Sequence, residues 1–168
     1  MAATGVYVSV NKTRLAGVMA GRFGDGATPS SEKTELPITY FAVGEGGYQV
    51  VGAVKVPKVP SAAQTDTEAS IAPATIATSA TGLRFQKNFG ALDVSDDLAG
   101  TITAVVKLDA TEVGLDNNSK LTGNAGNPPQ LFELCIFGYD GTAVAYCTFD
   151  EIVKVSGQSV TITVQISY

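Results

Sequence analysis

Short apolar runs recur along this chain, several of them alternating with polar residues at a period of two, and no long helical period accompanies them. The closing run is the clearest. In Gln158–Tyr168, Val160, Ile162, Val164 and Ile166 alternate with polar neighbours, which predicts a half-buried strand. The same vocabulary predicts strands at Gly5–Val10, Leu36–Val43, Tyr48–Val56, Leu83–Phe89, Thr101–Leu108, Leu131–Phe137 and Ala143–Phe149. Residues 138–142 (GYDGT) predict a hairpin turn between the strands at 131–137 and 143–149, because Asp-Gly accepts positive φ. One short helix is expected at Thr13–Gly21. Leu15, Val18 and Met19 share a face there, Thr13 can cap the start and Gly21 can end it. Gly-, Ser-, Pro- and Asn-rich stretches predict loops at 21–34, 57–81 and 117–129. The expectation is one mainly β domain over residues 1–168, an antiparallel or mixed β-sandwich-like fold with a short helix and long loops.

The strands at 131–137 and 143–149 are apolar on both faces. Simple alternation places Phe132, Leu134 and Ile136 on one face and Leu131, Glu133, Cys135 and Phe137 on the other. Such a pair is either central in a sheet or pressed against a partner. This makes Phe132, Glu133, Phe137, Tyr139, Tyr146 and Phe149 the candidate interface residues. Glu133 is the exception within an apolar run, and a buried carboxylate is costly unless paired. An arginine or lysine partner is expected, with Arg14, Arg22 and Arg84 as candidates, and a subunit boundary or an exposed edge are the other two possibilities.

Composition narrows the function. Eleven Lys+Arg against sixteen Asp+Glu give a net charge of −5, which disfavours a phosphate-backbone binder. Histidine is absent, which removes Ser-His-Asp and Cys-His catalysis and the commonest metal ligand. Two cysteines make neither a disulfide framework nor a four-thiolate zinc site. Tryptophan is absent, so a sugar-binding β-sandwich would lack its usual stacking platform. The first ten residues do not read as a signal peptide, and no run is long enough to span a bilayer as a helix. A chain folded in a cytoplasm, with no nucleic-acid partner, no membrane insertion and no cofactor, is expected.

Three constellations could carry chemistry. Asp93, Asp96 and Asp97 cluster in ALDVSDDLAG, but their spacing misses the calcium-loop pattern and an acidic turn explains them; Asp116-Asn117-Asn118 is a weaker case. Gly44-Glu45-Gly46-Gly47 follows a strand, yet the next residues read as another strand, so a turn explains it better than a phosphate loop. Cys135 and Cys147 lie on the two arms of the hairpin and face each other only if the loop length allows it. Buried, reduced thiols acting as small hydrophobes are expected. No catalytic or metal-binding residue is assigned, and an enzyme is the least favoured class.

The hairpin also carries a resemblance. Phe132-Glu133-Leu134-Cys135-Ile136-Phe137, Asp140-Gly141 and Val144-Ala145-Tyr146 resemble a segment of the tail-collar fibre proteins of tailed bacteriophages, in which an E-x-G-I/L-F-D-x-x-G-x-L-I-A run occupies such a hairpin. Thr13-Arg14-Leu15-Ala16 resembles that family's short N-terminal helix. Tyr40 to Gly47 (YFAVGEGG) resembles its strand ending in a glycine-rich turn. The three segments occur in the family's order and span about a third of the chain. Cys135 stands where the family has glycine, and Glu45 where it has aspartate. The resemblance implies a non-enzymatic virion protein of the tail or baseplate, an oligomeric adaptor that attaches fibres. It implies self-association, with a trimer favoured, and contacts with other tail proteins. Capsid decoration and a tail-tube or tail-completion role are the alternatives, followed by a carbohydrate-binding module.

Overall fold

The structure is a computed structural model that describes residues 7–10, 38–61, 84–96, 100–112, 128–138 and 141–167. Ten strands are formed: β1 (Tyr7–Val10), β2 (Ile38–Gly44), β3 (Tyr48–Val51), β4 (Val54–Pro57), β5 (Arg84–Asn88), β6 (Val94–Asp96), β7 (Thr101–Leu108), β8 (Gln130–Gly138), β9 (Ala143–Val153) and β10 (Val160–Ser167). They build a five-stranded sheet in the order β1-β9-β8-β2-β5, a three-stranded sheet β10-β7-β6 and the hairpin β3-β4. Every pairing is antiparallel. The mainly β expectation is met, and the described residues contain no helix. The helix expected at 13–21, the loop at 21–34 and most of the loops at 57–81 and 117–129 fall outside the described residues.

The core lies between the two larger sheets. Ile38, Phe41 and Val43 of β2, Leu131, Leu134 and Ile136 of β8, and Val144, Ala145, Cys147 and Phe149 of β9 meet Ile102, Ala104, Val106 and Leu108 of β7 with Val164 and Ile166 of β10. The strand expected at Thr101–Leu108 is β7, and its burial alternates: Ile102, Ala104, Val106 and Leu108 are buried. Each large aliphatic side chain removed from water here contributes about 1.5–3 kcal/mol.

Local irregularities correct the reading of β8 and β9. The β8–β9 register shifts between Leu131 and Glu133 and again between Ile136 and Phe137. The first shift breaks strict alternation, so Leu131 joins Leu134 and Ile136 in the sandwich core. Phe132 instead packs on Tyr48 of β3, ring centroids 4.9 Å apart. A comparable shift in β2, between Ile38 and Tyr40, puts Ile38 on the same side as Phe41 and Val43.

Two further expectations are corrected. Tyr48–Val56 is not one strand but a tight hairpin, turned at Gly52 and Ala53, both at positive φ (56° and 68°). The residues read as an acidic turn include β6, whose three residues pair with β7. Period-two reasoning missed this strand because it is too short to show a period.

Candidate functional site

The second face of the five-stranded sheet carries the motif residues. Ala42, Cys135, Phe137, Ala143 and Tyr146 form a buried cluster there, with Tyr40 stacked on Phe137 at 4.6 Å and 9°. β8 and β9 are apolar on both sides because they are central strands, covered on one face by the sandwich core and on the other by this cluster. Phe132, Glu133, Phe137, Tyr146 and Phe149, expected to meet a partner, are all buried within the chain itself. Tyr139 lies outside the described residues.

Glu133 is fully buried, which overturns the exposed-edge alternative. Its Oε2 accepts a hydrogen bond from the Tyr146 hydroxyl at 2.6 Å, and its Oε1 accepts one from the Gly46 N–H at 3.0 Å. A phenol and a backbone amide are the kind of donor that makes a buried carboxylate tolerable, and here both come from the chain itself. Of the expected cationic partners, Arg14 and Arg22 lie outside the described residues. Arg84 is placed by the backbone register opposite Gly44, which is itself opposite Glu133.

The glycine-rich turn fits over this carboxylate because it has no side chains in the way. A Cβ on Gly44 would stand 2.5 Å from Glu133 Oε1. A Cβ on Gly47 would stand 2.8 Å from the Glu133 Cβ and 3.1 Å from the Tyr146 hydroxyl, and Gly47 also has a φ of 77°. The acidic side chain of the turn makes a separate contact. Glu45 Oε1 accepts the Gln130 N–H at 3.0 Å, at the start of β8. The turn therefore binds β8 at both Gln130 and Glu133.

The β3–β4 hairpin completes the clasp. Thr148 Oγ1 donates to the Lys58 carbonyl at 2.5 Å, and the Lys58 N–H donates to the Gly47 carbonyl at 2.9 Å. Lys55 Nζ lies 4.6 Å above the Tyr48 ring and 5.3 Å above Phe132, and donates to Gln130 Oε1 at 2.8 Å. Glu133 has no exposed surface, so it has no open path to a substrate in this arrangement. Its geometry serves to lock a loop and a hairpin onto two central strands.

Comparison with known proteins returns no match: no family model fits the chain, and neither a curated protein nor a solved structure matches it.

The remaining candidates are distributed elsewhere. Asp93 accepts hydrogen bonds from Lys107 Nζ and, at 2.8 Å, from the Gly90 N–H. The Lys107 hydrogen bond holds its carboxyl below the usual range, against the opposing effect of burial. Asp97 and the side chain of Asp96 are outside what the structure describes. Among the described residues no group of three or more acidic or thiol side chains is arranged to hold a metal ion. Cys147 faces the sandwich core and Cys135 the opposite cluster, so the two thiols lie on opposite faces. Burial pushes the Cys147 thiol up to about 12, far from a reactive thiolate.

Sequence reasoning missed Lys154, which is buried with its Nζ donating to the Val155 carbonyl at 3.3 Å. Burial lowers its pKa, opposed by the charges of Glu112 and Asp109. Those two carboxylates are themselves held by Lys87, each 3.0 Å from its Nζ. Its position after a strand of mixed polarity offered no signal of burial.

Proposed function

We propose that the protein is a non-enzymatic structural component of a bacteriophage virion, an oligomeric tail or baseplate adaptor that attaches fibres. The observation that carries this reading is the meeting of two of the three resembling segments. The YFAVGEGG turn and the FELCIF hairpin are about ninety residues apart in sequence, and they close on each other through Gly46, Glu133 and Tyr146. Motif residues that serve each other in one clasp are a coherent unit of fold. That favours a shared architecture over chance similarity of three short segments.

A domain of this kind works by presenting a rigid surface. The two-sided cover of β8 and β9 supplies that rigidity, because bound elements on both faces leave the central strands little freedom to open. The three-fold self-association implied by the resemblance belongs to the same proposal. Electron microscopy of particles assembled without this protein tests it. Particles with complete heads and tails that lack fibres support the adaptor role. Loss of a head-surface layer instead, with tails and fibres intact, overturns it in favour of capsid decoration.

A further inference from the structure

We infer that the outer edge of β10 is a self-pairing surface, on which β10 of a second copy of this chain adds as an antiparallel strand and makes one sheet across the two copies. Among the described residues β10 pairs with β7 alone, so it forms an edge of the three-stranded sheet. An edge strand presents a row of unpaired N–H and C=O groups, and monomeric proteins defend such edges by shortness, charge, proline or a bulge. The other described edges carry such defences. β1 and β3 have four residues each and β6 three. β4 contains Lys55 and Pro57, and β5 contains Arg84 and Lys87.

β10 has none of them. It runs for eight residues, VTITVQIS, with no charge and no proline. Its register with β7 is unbroken from Val160–Leu108 to Ser167–Thr101, so no bulge turns the edge aside. Its outward row, Thr161, Thr163, Gln165 and Ser167, is exposed. Its inward row is buried at Val164 and Ile166 but only half-buried at Val160 and Ile162, which leaves apolar surface at the edge of the core.

Neutrality identifies the occupant. In a two-fold antiparallel pair each side chain near the axis stands opposite its own copy, so any charge there would repel itself. An uncharged Thr, Gln and Ser row meets that condition, and a strand from the same chain brings the same β-branched residues to cover Val160 and Ile162. This pairing is two-fold and rests on the β10 edge alone. It stands or falls independently of the tail role and of a three-fold ring closed through other surfaces.

Sedimentation of the full chain over a concentration series tests it, beside the double variant Thr163→Lys/Gln165→Lys. Both substituted side chains are exposed, so the variant keeps its circular dichroism spectrum. The wild type is expected to reach twice the 17.3 kDa chain mass, or an even multiple of it, and the variant to sediment at half the wild-type mass. Variants that each add one exposed cysteine beside the buried Cys135 and Cys147, Thr161→Cys, Thr163→Cys and Gln165→Cys, oxidised with copper phenanthroline, provide a second readout even if the double variant fails to fold. A covalent dimer concentrated at one of the three positions, and not formed by Gln49→Cys on β3, is expected. A wild type that stays monomeric or at an odd multiple of the chain mass, a folded variant whose mass is not halved, or cross-linking without positional preference overturns the inference.

Discussion

Glu133 joins three elements through a single side chain, and its energetics can be separated by substitution. Glu133→Ala leaves the Gly46 N–H and the Tyr146 hydroxyl without their acceptor. At about 1–3 kcal/mol for each donor that loses this acceptor, a loss of about 2–6 kcal/mol is expected in urea unfolding. Gly44→Ala forces a methyl group onto the carboxylate and is expected to cost about 1–3 kcal/mol. That cost should shrink in a Glu133→Ala background, where the clashing oxygen is gone; equal cost in both backgrounds would show that the glycine is needed for another reason. Lys154 has the opposite sign. Its folded pKa is lowered, so the penalty is present while the unfolded side chain is charged and disappears as pH rises through the unfolded value of about 10.4. Lys154→Met is therefore expected to raise stability at pH 7, with the gain fading above about pH 10. Unfolding midpoints of the two proteins at neutral pH and near that unfolded value check it, and a gain that grows with pH would contradict it.

The elements show how a turn and a strand edge depend on their neighbours. The β3–β4 hairpin turns through Gly52 and Ala53 at positive φ, a conformation that suits glycine and strains alanine. Ala53→Gly relieves that strain, and the expected gain is up to about 1 kcal/mol after glycine's larger entropy loss. Slower amide exchange at Val51 and Val54 would register it; faster exchange there would show that entropy dominates. The turn leading into β6 is fixed by Asp93, whose depressed pKa makes its stabilising contribution present above the unfolded value and lost as pH falls below about 4. Removing its partner with Lys107→Met should lower stability at neutral pH and have less effect about one unit below that unfolded value. A difference unchanged between those two conditions would exclude the ion pair as its source.

At the scale of the whole molecule, two sheets enclose one core while a hairpin and a glycine turn cover part of the outer face. Both cysteines are sealed on opposite sides of the central strands. The native protein is accordingly expected to resist thiol alkylation at neutral pH and to react at both positions in denaturant. Rapid labelling of the folded protein would mean that the five-stranded sheet opens readily, contrary to the rigidity the proposed adaptor role needs. Burial of the aromatic hairpin within the chain also moves the search for contact surfaces from Phe132 and Phe137 to the sheet edges.

Strand positions were legible because period-two alternation reports one-sided burial directly: β10 matches it residue by residue, while the two apolar faces of the hairpin left a central pair or a partner-covered pair open, and the strand order makes β8 and β9 central. The buried acid and the run of glycines were legible as two separate oddities, a charge inside an apolar run and a turn with almost no side chains. Their union was not, because an interaction across about ninety residues depends on β2 lying beside β8, and strand order leaves no local trace in composition. The face swap at Leu131 and Phe132 was equally hidden, since a register shift moves side chains across a sheet without changing the residues that would announce it. Local pattern determined which segments extend and which sides are apolar. Only the tertiary structure decided what each apolar side meets, because that choice is made by packing between distant strands.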